Sequence, residues 1–201
     1  MIPILFLLAY TWMPLSPSPE DEFIGRVVVE WLTEDAADRT MRLLEEFAYR
    51  DPAGKVWRVP AGTEIDGASI PATLYPIIGP PFVGDYRRAS VVHDYHCQLR
   101  TENWKAVHKM FYHASRVGGV PLVEAKAMYA AVLGWGPRWE TRVTRGDTPH
   151  TISIPRPTAD SSALLDLEMW IRDADPDLDE IDRHVSRMLG ETTGNIDSGA
   201  F

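Results

Sequence analysis

The strongest constraint on this chain is a change of hydrophobic period across a stretch that no regular element could traverse. Before Pro60 the apolar residues are largely β-branched or aromatic and tend to alternate; after Asp85 they recur at every third or fourth position. Between them Gly62, Gly67, Pro71, Pro76, Gly79, Pro80 and Pro81 mark an irregular connection with at most short helical turns. A sheet-forming third followed by a helix-forming unit predicts an α+β fold: a small antiparallel sheet, a packed three-helix unit, and a C-terminal helical appendage.

The strand readings are Ile24 to Leu32, Thr40 to Tyr49, and Lys55 to Val59, the last two joined by the turn Asp51-Pro52-Ala53-Gly54. Three helices follow. Tyr86 to Leu99 carries Ala89, Val92, Tyr95 and Leu99 as its apolar face; Asn103 to Val117 carries Val107, Met110, Phe111 and Ala114 and stops at Gly118-Gly119. Pro121 opens the third, whose stripe is Ala125, Met128, Tyr129 and Val132, and Gly134 to Pro137 stops it. Arg138 to Pro157 reads as a mixed polar extension. Leu164 to Ile171 reads as a short helix, and Leu178, Ile181, Val185, Met188 and Leu189 as an amphipathic one started by Asp175-Pro176. The expected organisation is 1–22, an apolar N-terminal segment with a Pro/Ser linker; 23–139, the core domain; and 140–201, the polar extension with its helices and a frayed tail.

Charge and cysteine content exclude several functions. The net charge is −9, and the densest basic pair in the middle of the chain is Arg87-Arg88, so no nucleic-acid partner is expected. A single cysteine, Cys97, rules out an internal disulfide, a four-thiolate zinc site and a CxxC redox pair, and reads as a small buried apolar residue. Ile2 to Met13 is an apolar run as long as a signal-peptide core and too short to span a bilayer as a helix. It lacks a preceding cation and a cleavage-like site, which leaves export, an interfacial membrane or envelope anchor, and a first strand of the fold all open.

Two segments could carry chemistry: Asp66-Gly67-Ala68-Ser69-Ile70-Pro71 in the loop leaving the sheet, and His93-Asp94-Tyr95 in the first long helix. With their surroundings, VPAGTEIDGASIP, GDYRRASVVHDYH and MYAAVLGWGPRW, they resemble the phage- and prophage-associated family of unknown function numbered 1353, from about Phe23 to Trp139. The resemblance implies a fold, a phage context with other phage proteins as partners, and Asp66, Ser69, Pro71, His93, Asp94 and Tyr95 as pattern residues; it implies no reaction. The family's second helix usually bears an Asp where this chain has His108: as a ligand to zinc or another first-row metal His108 can replace it, as a calcium or magnesium ligand it is a poor substitute, and for a helix-stabilising or hydrogen-bonding Asp the change says nothing about catalysis.

Three readings follow. In a metal-assisted hydrolase, Asp66 from the loop, His93 or Asp94 from the first helix and His108 from the second hold a divalent ion and its water, with another nearby carboxylate or histidine as the base. In a serine hydrolase, Ser69 is the nucleophile and His93 its base, oriented by Asp66, because Asp94 lies about 100° around the helix from His93. In a non-enzymatic structural or interaction protein, the same residues tie loop to helix as a satisfied polar knot. His96 and His113 are expected to be exposed or half-exposed, Trp104, Trp135 and Trp139 to be core and rim, and the acids from Asp173 to Asp182 to be a solvated helix start.

Overall fold

The computed structural model describes residues 22–32, 40–66, 83–142, 150–155, 157–158 and 161–190. The N-terminal apolar run, most of the Gly/Pro stretch (Ser69 and Pro71 included) and the tail lie outside the described residues. The fold is α+β, as the change of period requires.

Six short strands come first: β1 (Glu22–Ile24), β2 (Val29–Trp31), β3 (Met41–Leu43), β4 (Phe47–Arg50), β5 (Val56–Val59) and β6 (Glu64–Ile65). They form two antiparallel sheets rather than one, ordered β1-β4-β5 and β2-β3-β6. The two longer strands expected from the sequence are each broken, and the breaks face each other. Ile24 pairs with Ala48 and Val29 with Leu43, so residues 25–28 oppose 44–47. Gly25 explains the kink. It takes a φ of 85°, and a Cβ there would stand 3.0 Å from the Glu46 carbonyl oxygen, so only glycine lets the ribbon bend so closely on itself. The β4–β5 turn is held by Asp51, whose Oδ1 accepts from the backbone N–H groups of Ala53 and Lys55.

Three helices follow: α1 (Arg87–Leu99), α2 (Trp104–Gly118) and α3 (Leu122–Trp135). Asn103 caps α2 by accepting from the Lys105 N–H at 2.9 Å, and α2 ends on Gly119 in the left-handed region. At Gly118 a Cβ would lie 2.2 Å from the Asp85 carbonyl oxygen, so the end of α2 rests directly on the chain entering α1. Helix α1 packs on β4, β5 and β6 and against α2. Helix α3 packs against α2, α4 (Ser161–Ala174) and α5 (Leu178–Met188), and is therefore buried on every side from Ala125 to Trp135 rather than along one stripe.

Three expectations need correction. The extension after Pro137 is not irregular: β7 (Arg138–Arg142) and β8 (His150–Ile154) form an antiparallel hairpin, whose polar residues concealed its alternation. Leu99 is 44% exposed, because the buried face of α1 is turned toward Ala89, Ser90, His93, Asp94 and Cys97. A face read from apolar residues alone misses a helix that buries its polar ones. His96, expected at the surface, is buried edge-on against Trp57 with ring centroids 5.1 Å apart.

Candidate metal centre

His93 and Cys97 stand four residues apart on α1, so their side chains leave the same face of the helix. His108 reaches them from the facing side of α2. The exposures are 1% for His93, 4% for Cys97 and 0% for His108. His93 Nε2 and His108 Nδ1 are 2.8 Å apart, and Cys97 Sγ lies 3.6 Å from His93 Nε2. One donor atom from each residue falls within 4.8 Å of the others, and among the described residues this is the group so arranged.

The partners determine the tautomers. The Pro137 carbonyl can only accept, and it lies 3.1 Å from His108 Nε2, so that nitrogen carries the proton. A neutral His108 then has a lone pair at Nδ1, which accepts from the Nε2–H of His93. Both rings are neutral. Burial pushes His93 down to about 3, with the nearby His96 adding to the shift, and burial likewise holds His108 well below the usual histidine range. Phe111 lies 4.6 Å from the His93 ring and Trp104 meets His108 edge-on at 5.5 Å, giving the cluster an aromatic collar.

These distances suit a tetrahedral first-row ion. Zinc bonds of about 2.3 Å to sulfur and about 2.05 Å to nitrogen place S and N about 3.6 Å apart and two nitrogens about 3.3 Å apart. The sulfur–nitrogen separation of 3.6 Å already matches. The two imidazoles, at 2.8 Å, would part by about half an ångström, the His93 proton moving from Nε2 to Nδ1 so that Nε2 can ligate, and the Cys97 thiol would give up its proton to solvent. His108 would keep its Nε2–H on the Pro137 carbonyl, which is the outer contact that orients most metal-bound histidines.

Asp94 points elsewhere. It is buried, and its Oδ2 accepts from the backbone N–H of Asp66 at 3.0 Å, tying the end of β6 to α1. Residue Asp66 is exposed, and its backbone makes this contact. The structure therefore brings His93 to His108 and Asp94 to Asp66 as two separate contacts, and Ser69 lies outside the described residues. Cys97 was not among the residues the sequence singled out for chemistry. Its signal was the four-residue spacing from His93, hidden because a lone cysteine excludes the thiolate-rich sites one looks for first.

Fold and centre together define an α+β domain whose two principal helices meet on a buried His–Cys–His cluster. Residues 41–132, from β3 to most of α3, match the model of the family described as "Protein of unknown function (DUF1353)". It is 48% identical over 112 residues to the uncharacterized protein y4jT of Sinorhizobium fredii (strain NBRC 101917 / NGR234), covering 54% of this chain and 33% of that relative. It is 38% identical over 109 residues to the uncharacterized protein y4iH of the same strain, covering 54% of this chain and 46% of that relative. The chain thus spans less than half the length of these curated relatives. No solved structure matches it.

Proposed function

We propose that this domain is a metal-stapled structural or interaction module, in which one first-row divalent ion, zinc by its donor set, is held by His93, Cys97 and His108. The observation that carries this reading is the convergence of two imidazole nitrogens and a thiol from facing helices, with sulfur already at a tetrahedral ligand spacing. The ion joins α1, which rests on the sheets, to α2, which rests on α3, so its binding free energy becomes folding free energy. A hydrolytic centre needs a coordination position open to water and substrate. Three protein donors leave a fourth tetrahedral position for a water, but donors at most 4% exposed give a substrate no approach to it, which favours the structural role over catalysis. A phage or prophage setting stays part of the proposal on the strength of the motif resemblance.

The competing arrangement is a metal-free knot, favoured by the 2.8 Å bond the two imidazoles make with each other. Metal content and cobalt substitution decide between them. The metal reading expects one equivalent of zinc per chain, and a near-ultraviolet thiolate-to-cobalt band that disappears in Cys97→Ser. Folded protein that takes up neither ion after supplementation overturns it and leaves the knot.

A further inference from the structure

Far from the metal cluster in chemistry, a cavity of about 480 Å³ opens where the β1–β2 connection, the second sheet and the start of α1 meet. Its floor is apolar, made by Val27, Val29, Met41, Ile65 and Val91, with the 61% exposed Trp31 at one side. Three arginines complete the lining: Arg26, Arg87 and Arg88. Among the described residues no Asp or Glu lines it, and none of the three arginines makes an ion pair with another of them. In a chain of net charge −9 with 29 acidic side chains, three cations left together without an acid are a departure that solubility does not explain.

A second feature adds to this. Arg87 and Arg88 occupy the first turn of α1, where the helix dipole is positive, with no acidic residue in that turn and no side-chain cap. Two cations at that end oppose the helix. The carboxylate of the preceding Asp85 is turned toward Gly119 at the end of α2, with its Cγ 3.5 Å from where a Cβ on that glycine would stand. Arg88 is steadied over the Phe23 ring at 4.3 Å. An anionic group between these guanidiniums would offset their positive charge and suit the positive end of the helix dipole.

From the joining of that cationic rim to an apolar floor, we infer that this cavity binds a single-chain anionic amphiphile, a long-chain carboxylate with its headgroup among Arg26, Arg87 and Arg88 and its tail over Val27, Val29 and Trp31. The volume lies within the range of small-molecule sites. Free anions share the headgroup chemistry but would leave the apolar floor unused.

Calorimetric titration of the full chain with dodecanoate below its micelle concentration tests this, beside acetate, inorganic phosphate and dodecyltrimethylammonium. The expected result is one dodecanoate per chain with no comparable heat from the other three. The double variant Arg26→Gln/Arg87→Gln should bind at least about tenfold more weakly, the loss of two charge-assisted contacts, with an unchanged circular-dichroism spectrum. If that variant does not fold, Trp31→Ala, at an exposed position, should weaken binding severalfold through the tail. Absence of dodecanoate binding, or binding unchanged in the variants, overturns the assignment. Equal binding of acetate or phosphate overturns the amphiphile and leaves a simple anion site; equal binding of the cation leaves only a greasy surface.

Discussion

Two helix seams in this domain bury polar groups in opposite ways. Between α1 and α2 the groups are His93, His108 and Cys97, fully enclosed and neutral, bonded to each other or to a backbone carbonyl. Beside α3 and α5 the groups are charged: Lys126 Nζ lies 2.5 Å from Asp175 Oδ1, and the Tyr129 hydroxyl donates to Asp182 at 2.5 Å. There one partner of each pair keeps contact with water, Asp175 being 69% exposed. Desolvation explains the difference. An isolated ion in the first seam would cost several kcal/mol, roughly, and so that seam holds groups that are neutral or that a metal can gather. At the second, the carboxylates stay hydrated, and ion pairs cost little.

The comparison fails if the enclosed seam proves as tolerant as the edge. His108→Ala should therefore have the largest effect, removing a buried ring and leaving the Nε2–H of His93 and the Pro137 carbonyl without their partner. We expect a loss of about 3 kcal/mol or more by denaturant titration, together with loss of the ion. Cys97→Ala sharpens the point. Its thiol lies at long contacts of 3.6 and 3.9 Å from the His93 nitrogens, so metal-free wild type and variant should differ by about 1 kcal/mol, and zinc should stabilise wild type alone. Equal zinc stabilisation of both would remove Cys97 from the ligand set.

Acid should act on the first seam before the second. In the metal-free protein His93 is pushed down to about 3 and His96 to about 4, chiefly by burial, whereas in the unfolded chain both titrate near 6.5. Between those values the unfolded state binds protons that the folded state refuses, so stability falls as pH drops from about 6.5 toward 3. The slope approaches roughly 1 kcal/mol per pH unit for each fully buried histidine. At high pH the second seam responds instead. Burial and the bond to Asp182 raise Tyr129 above its usual range, so the unfolded chain ionises first and stability declines above about pH 10. Denaturant midpoints at pH 7, 5 and 4 would separate these trends; a flat acid limb would mean that His93 and His96 are less enclosed than their 1% and 8% exposures indicate.

Much of this was legible in the sequence, for identifiable reasons. The ends of α2 and α3 could be located because each stops on a glycine, Gly119 at a φ of 111° and Gly136. His93 and His108 were named because they bear on chemistry, and the angular argument separating His93 from Asp94 matches their different contacts. What was hidden depended on long-range approach. The opposing breaks at Gly25 and Glu46 are twenty-one positions apart and only become one kink once the strands pair. Arg26 and Arg87-Arg88 line one cavity from positions about sixty residues apart, so their approach has no local signature. The β7–β8 hairpin was missed because its few apolar residues, Trp139, Ile152 and Ile154, stand among polar ones and pair across the strands with Ser153, Glu140 and Arg138.

The smallest expected effect belongs to the edge seam, and it distinguishes a hydrated pair from a buried one. Lys126 has a side chain only 8% exposed, while its partner Asp175 is largely in water. Removing the cation leaves a carboxylate that solvent can serve; removing the carboxylate leaves a mostly enclosed ammonium with nothing to answer it. Lys126→Met should therefore be nearly neutral, within about 0.5 kcal/mol, since the methylene stem is replaced by apolar volume. Asp175→Asn should cost more, up to about 1 kcal/mol given the exposure of that side chain. Asparagine is the right replacement because Asp175 sits at a φ of 43°, which Asn tolerates and alanine does not, so the charge is tested without backbone strain. Thermal melts of both variants in low and high salt check the order. If Lys126→Met is the more damaging of the two, the pair contributes real attraction, and the edge seam resembles the enclosed one more closely than its hydration suggests.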